Sequence, residues 1–261
     1  MTRVVAVSPH LDDAVFSVGG TLARLAGSSD VTGVTVVTCF TGSVDPAVAT
    51  PFALSTQLDK GLAADVDYMA LRRTEDRDAL DVLGAAPRHL GLLEAPHRGY
   101  DSAAALFAGR RGGDVVARPL TEALAPVLAG ADLVLAPQAL GDHVDHQWVS
   151  AVVAGLVDPA RCGWWRDTPY VARRPDATPM DHVTGREVAV DVTGELDRKA
   201  AAVACYRTQV PFQFGSADAA GPALEALARD EAARTGTGTA VEALRVGPRA
   251  GGVLAALLGA S

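Results

Sequence analysis

Residues 1–20 read MTRVVAVSPHLDDAVFSVGG, and the reading of residues 4–13 decides the fold. Val4, Val5, Ala6 and Val7 form an unbroken apolar run rich in β-branched side chains, without the alternation of a strand that keeps one face in water. Such runs belong to strands covered on both faces, as in a parallel sheet flanked by helices. Pro9 ends the run, and His10, Asp12 and Asp13 follow before a helical pattern over 14–26. Strand, turn and helix in this order are the first half of a βαβ unit. One aspartate at the helix start is explained as a cap favoured by the helix dipole. A second aspartate and a histidine are more than a cap requires.

The same punctuation recurs along the chain. Strand-like runs cover 3–8, 30–40, 89–93, 132–137 and 186–192, and helical periodicity covers 14–26, 68–83, 115–128 and about 146–157. This alternation predicts a Rossmann-like three-layer αβα fold with a mostly parallel sheet and the active site at the C-terminal edge of the strands. Three long segments interrupt it: 41–67, 94–114 and 159–185. The last, read as an irregular wall, carries Trp164, Trp165 and Tyr170. Long loops at that edge of a sheet usually bind or cover a substrate. Residues 194–261 carry helical patterns, and no repeat or linker divides the chain, so the 261 residues read as one domain with a variable C-terminal part from about 159.

The net charge of −8 argues against nucleic acid or an anionic membrane as partner. Cys39, Cys162 and Cys205 lie far apart and are odd in number, which predicts reduced thiols and a cytoplasmic protein. The sequence carries no signal-peptide pattern and no apolar run long enough for membrane insertion.

A second cluster matches the first. The run at 132–137 ends in a proline, and Gly141-Asp142-His143-Val144-Asp145-His146 leads into the next helical pattern. Imidazoles and carboxylates converging at one sheet edge, without clustered cysteines, suit Zn2+ held by three protein ligands, although the same donors accept another divalent metal. A spare carboxylate beside such a site can deprotonate water, and a spare histidine can face a developing oxyanion.

PHLDD followed by SVGGTLARLA resembles the first motif of the PIG-L/LmbE-like metal-dependent N-acetylglucosaminyl deacetylases, usually written HPDDE. HVDH resembles their second motif, HPDH, and looser similarity runs through 69–85 and 198–209. The resemblance implies that His10, Asp13 and His146 are metal ligands and that Asp12 is the general base. It makes His143 the electrostatic or acid partner of the tetrahedral intermediate, with Asp145 orienting it and supporting its cationic form. Leu11, Ala14 and Val144 depart from the motifs at positions with no assigned role. Gly141 stands where some members carry a tyrosine, which leaves the general acid open. The rival reading, a dinucleotide-binding oxidoreductase, needs a glycine fingerprint in the first turn, where the chain has PHLDD.

The expected activity is removal of an N-acetyl group from an amino sugar in a small glycosylated molecule. The alternative is an amidase acting on a thiol conjugate or a larger acyl amide. Arg73 is the expected sugar contact through its planar fork. Trp164 and Trp165 are the expected stacking surfaces for the N-acylated sugar substrate, against core packing as the competing role.

Overall fold

The computed structural model describes residues 1–260. The first half of the chain runs β1 (Thr2–Ser8), α1 (Asp13–Ala26), β2 (Val31–Phe40), α2 (Pro51–Leu58), α3 (Tyr68–Leu83), β3 (Ala86–Leu92), α4 (Ala103–Leu106), α5 (Ala117–Leu128) and β4 (Leu133–Pro137). The second half runs α6 (Val144–Leu156), β5 (Cys162–Trp165), α7 (Tyr170–Arg173), β6 (Arg186–Asp191), α8 (Leu196–Val203), α9 (Val210–Phe214), α10 (Ala217–Thr235), β7 (Val241–Val246) and α11 (Pro248–Leu258).

The strands form one seven-stranded sheet in the order β3-β2-β1-β4-β5-β7-β6. The pairs β1–β2, β1–β4, β2–β3 and β4–β5 are parallel, and β7 runs antiparallel to both its neighbours. Helices cover both faces, giving the expected three layers. The unbroken apolar run of β1 has its reason here. Val4 and Ala6 pack with Phe16, Leu22 and Leu25 of α1, while Val5 and Val7 pack on the opposite face with Leu120, Leu124 and Val153. All four residues are 0% exposed, and a fully buried valine of this kind contributes about 1.5–3 kcal/mol.

The chain leaves β1 toward β2 and β3, then returns to place β4 on the other side of β1. Beyond the C-terminal ends of β1 and β4 lies the crevice where this topology binds ligands. Both His/Asp clusters of the sequence are attached there.

Two strands escaped the sequence reading. β5 lies inside the segment read as an irregular wall, and its four residues, CGWW, are too short to show a period. β7 lies in the tail read as helical; VEALRV shows no strict alternation, and five of its six residues are buried, with Val241, Leu244 and Val246 packed into cores on the sheet faces. β7 also supports the middle of α1. That helix breaks at Val18 (φ −134°), and Glu242 of β7 accepts the N–H groups of Gly20 at 3.0 Å and Thr21 at 2.7 Å. Lys199 pairs with the same carboxylate at 2.7 Å. Only glycine fits at position 20, since a Cβ there would stand 2.7 Å from Val192 Cβ. Among the described residues no helix is long and apolar enough to cross a membrane.

Candidate active site

The turn after β1 is clamped from three sides. Ser8 Oγ donates to the His10 carbonyl at 2.7 Å and accepts the Ala14 N–H at 3.1 Å, and Phe40 N–H donates to the Pro9 carbonyl at 3.0 Å. Asp12 takes φ 155°, ψ −34°, a conformation that costs a non-glycine residue about 1–3 kcal/mol and clusters at functional sites. This turn brings His10 and Asp13 together, with the His10 N–H on Asp13 Oδ2 at 2.8 Å. After β4 the turn uses positive φ at Ala139 (62°), Gly141 (92°) and Asp142 (69°) before α6 begins. His143 caps that helix: its Nδ1 accepts the Asp145 N–H at 3.2 Å, which leaves Nε2 to carry the proton of the neutral ring.

Asp13 Oδ2 lies 3.1 Å from His10 Nδ1 and 3.1 Å from His146 Nε2. Yet His146 Nε2 is buried without a hydrogen-bond partner. A nitrogen this close to a carboxylate oxygen without hydrogen-bond geometry suits a pair of atoms that face a common third partner. Ligand atoms about 2.0–2.1 Å from a tetrahedral ion stand roughly 3.3 Å apart, so the 3.1 Å spacings fit a shared cation. His10, His143 and His146 together offer nitrogen atoms within 4.8 Å of one another. Two imidazoles and a carboxylate accept zinc and other divalent first-row ions.

The outer nitrogen of each imidazole is also held by a carboxylate. His10 Nε2 contacts Asp145 Oδ2 at 2.9 Å, and His146 Nδ1 contacts Asp167 Oδ1 at 2.7 Å. Carboxylates in this place fix the ring and raise its basicity as a ligand. Asp145 is braced in turn by the Ala95 N–H at 3.1 Å and Arg98 at 2.7 Å, and Arg98 is anchored on Asp114 at 3.1 Å. Asp167 also accepts the Leu140 N–H at 2.9 Å.

The charge balance follows this geometry. Burial alone would lower His146, but Asp13 and Asp167 raise it to about 9. Burial opposes protonation of His10 as well, and Asp13 with Asp145 raises it well above its ordinary value. Asp13 is held well below the carboxylate range by His146 and His10 despite its burial. Asp12 moves the other way: burial and repulsion from Asp13 raise it to about 7, against the opposing pull of Arg72. His143 is pushed down to about 3 by burial and by His10, so it stays neutral.

The six motif residues His10, Asp12, Asp13, His143, Asp145 and His146 therefore meet at one place. The structure revises three expectations around them. The Asp145 carboxylate holds His10 rather than His143, which receives only the Asp145 backbone N–H and is neutral rather than cationic. Arg73 turns away onto the Thr41 carbonyl at 2.6 Å and Ser43 at 3.0 Å. The buried face of α3 carries Met69, Arg72, Asp76, Ala79, Leu80 and Leu83 at helical spacing, so Arg72 is the arginine that reaches the site. It stands 3.7 Å from Asp12 Oδ2 and 2.5 Å from Glu94 Oε1. Trp164 (3% exposed) and Trp165 (0%) point into the cores on opposite faces of the sheet and do not line the pocket.

The pocket is a cavity of about 360 Å³, within the range of small-molecule sites. Phe52, Phe107 and Phe212 line it from three separate segments, and Phe107 (41% exposed) and Phe212 (59%) remain open to solvent. Sequence reading missed these rings, together with Asp167. Asp167 had no motif around it, and only the pairing of β5 beside β4 carries it to His146.

Comparison with known proteins gives a consistent set of relatives. The family profile described as PIG-L: GlcNAc-PI de-N-acetylase matches residues 5–157. A 2'-N-acetylparomamine deacetylase from Streptomyces fradiae is 34% identical over 219 residues, covering 79% of this chain and 73% of the relative. The structure of an A40926 pseudoaglycone deacetylase is 31% identical, with TM-score 0.76 over 94% of this chain and 96% of that one. The zinc-inhibited form of a teicoplanin deacetylase is 27% identical, with TM-score 0.77 over 94% and 97%.

Proposed function

The chain belongs to the PIG-L family and is an N-deacetylase, a hydrolase of amides, and from that premise we propose that it uses zinc to remove the N-acetyl group of an amino sugar in a small glycosylated molecule. The observation that carries the reading is the Asp13 carboxylate set 3.1 Å from two imidazole nitrogens, one of them buried and unpartnered, beside a second carboxylate on Asp12. His10, Asp13 and His146 would hold the ion. When bound, it supplies Lewis-acid polarisation of the amide carbonyl and makes water more acidic.

The chain's own groups do the rest. Asp12, near neutrality in its proton affinity, takes a proton from the water that attacks the acetyl carbon. Neutral His143 donates its Nε2–H to the carbonyl oxygen as negative charge develops there. As the C–N bond breaks, protonated Asp12 is the group placed to return the proton to the departing nitrogen. Acetate and a free amine result. Arg72, bridging Asp12 and Glu94, holds the base in place.

Selectivity for the sugar and its attached group falls to Phe52, Phe107 and Phe212, which take over the stacking role that sequence reading gave to Trp164 and Trp165. The relatives act on paromamine, teicoplanin and A40926 derivatives, as their names state, and the substrate here is of the same general kind, a small N-acetylated sugar conjugate. The three cysteines, none of them in a disulfide, support a cytoplasmic location. The reading is tested by screening N-acetylated amino sugars and their conjugates for amine release, with metal content measured on the same preparation. Metal-loaded protein inert on every member of the panel overturns it.

A further inference from the structure

The chain has four tyrosines. The Tyr68 hydroxyl is paired with Gln209, that of Tyr100 accepts the Arg111 N–H at 3.0 Å, and that of Tyr206 donates to Asp76 at 2.7 Å. The hydroxyl of Tyr170, the first residue of α7, has no partner among the described residues, although the ring forms part of the pocket wall. That ring lies 5.1 Å from the ring of His146 and 6.3 Å from that of His143, centroid to centroid. Tyr170 thus borders the same pocket as Asp12, Asp13 and His143 with a hydroxyl that no other described residue engages.

Its position is built into the backbone. Gly141 adopts φ 92°, and a Cβ on it would stand 2.8 Å from Tyr170 Cβ and 3.1 Å from its Cγ and Cδ1. Tyr170 thus occupies the space that a side chain at position 141 would need. The bare glycine in the loop before His143 and the phenol reaching over it from α7 are one arrangement.

We propose that Tyr170 is a catalytic residue of the deacetylation, its neutral hydroxyl donating a hydrogen bond to the carbonyl oxygen as negative charge builds there, alongside His143 Nε2–H. The proposal rests on the N-deacetylase reading of the site. No bond to the phenol forms or breaks. The proton stays on Tyr170, and the contact strengthens as water adds to the carbonyl carbon and weakens again when the C–N bond cleaves. Two donors converging on one developing oxyanion act where they are worth most, in a site shielded from bulk water.

Tyr170→Phe tests this, because it keeps the ring on Gly141 and removes only the hydroxyl. Loss of one oxyanion donor typically lowers kcat by about 10²–10³-fold. That loss is expected here, with KM within about threefold of wild type and unchanged metal content and melting temperature, as for an interaction made in the transition state alone. A readout that packing would not move is affinity for a methylphosphonamidate of glucosamine, a stable mimic of the tetrahedral intermediate. It should weaken by about the same factor as kcat/KM, while affinity for glucosamine itself holds. An active wild-type protein whose Phe variant keeps kcat and analogue affinity within threefold overturns the proposal alone. A metal-loaded wild-type protein that hydrolyses no N-acetylated amino sugar overturns the deacetylase reading and this proposal with it.

Discussion

Asp167→Asn should weaken metal binding by about 10–100-fold, or about 1.4–2.7 kcal/mol. The Asp167 carboxylate is fully buried and takes two hydrogen bonds at once, from His146 Nδ1 at 2.7 Å and from the Leu140 N–H at 2.9 Å. An asparagine amide has one oxygen and one NH2 group in the same space. Whichever way it turns, a donor meets a donor at one of the two contacts. If the oxygen keeps Leu140, His146 loses the carboxylate that fixes its tautomer and raises its basicity. If the oxygen keeps His146, the bond survives without its charge, and a charge-assisted bond is roughly twice as strong as a neutral one. The substitution changes almost no volume, so packing is preserved. Competition between metal-free protein and a coloured zinc chelator measures the affinity directly. Asp142→Asn is the matched control, since its ion pair with Arg174 is about half exposed and such pairs contribute about 0–1 kcal/mol. Zinc affinity of the Asp167 variant within twofold of wild type would refute the role assigned to this carboxylate.

The other predictions concern the base, the pH dependence and the pocket wall. Asp12→Asn should retain the metal and lose about 10²–10⁴-fold in kcat, because an amide cannot accept the proton; near-wild-type turnover would reduce Asp12 to a helix start. In the metal-free protein His146 stands at about 9 against its ordinary 6.5. Its stabilising contribution is therefore complete below about 6.5 and lost as pH rises through about 9, so the melting temperature should fall across that window. Metal binding must displace the same proton, so zinc affinity should climb with pH toward about 9. Calorimetry in buffers of different ionisation enthalpy would show the released protons, and pH-independent affinity would contradict the assignment. Trp165→Ala, at a position 0% exposed, should cost about 3–5 kcal/mol of stability with KM unchanged in the remaining folded protein. Phe212→Ala, at a position 59% exposed, should do the reverse, raising KM at nearly constant melting temperature.

The parallel half of the sheet was legible because β1, β4 and the second half of β2 are buried on both faces and the helices on one, so composition and period carry the information. The metal-site candidates were legible for a related reason: each of the two clusters lies within a few residues of a strand end, and the topology brings strand ends together. What stayed hidden depends on contacts between segments remote in sequence. Asp167 and His146 are 21 residues apart, and Arg98 and Asp145 are 47 apart. β5 is four residues long, and it is recognisable only by the neighbours it pairs with. The choice between Arg72 and Arg73 turned on one residue of helical phase, which the charged run RRTEDRD obscures. The two tryptophans were conspicuous as residue types, but each is consumed by a core, while less conspicuous phenylalanines on three segments form the open wall.

His10, Asp13 and His146 are proposed to hold one divalent ion on which amide hydrolysis depends. The most direct test is amine release from an N-acetylated amino sugar conjugate by chelator-stripped protein as zinc is returned. The stripped protein should be inactive and recover as the first equivalent binds, with His146→Ala folded but neither binding the ion nor recovering. Full-rate deacetylation by the stripped protein, or full metal retention by His146→Ala, would contradict that assignment.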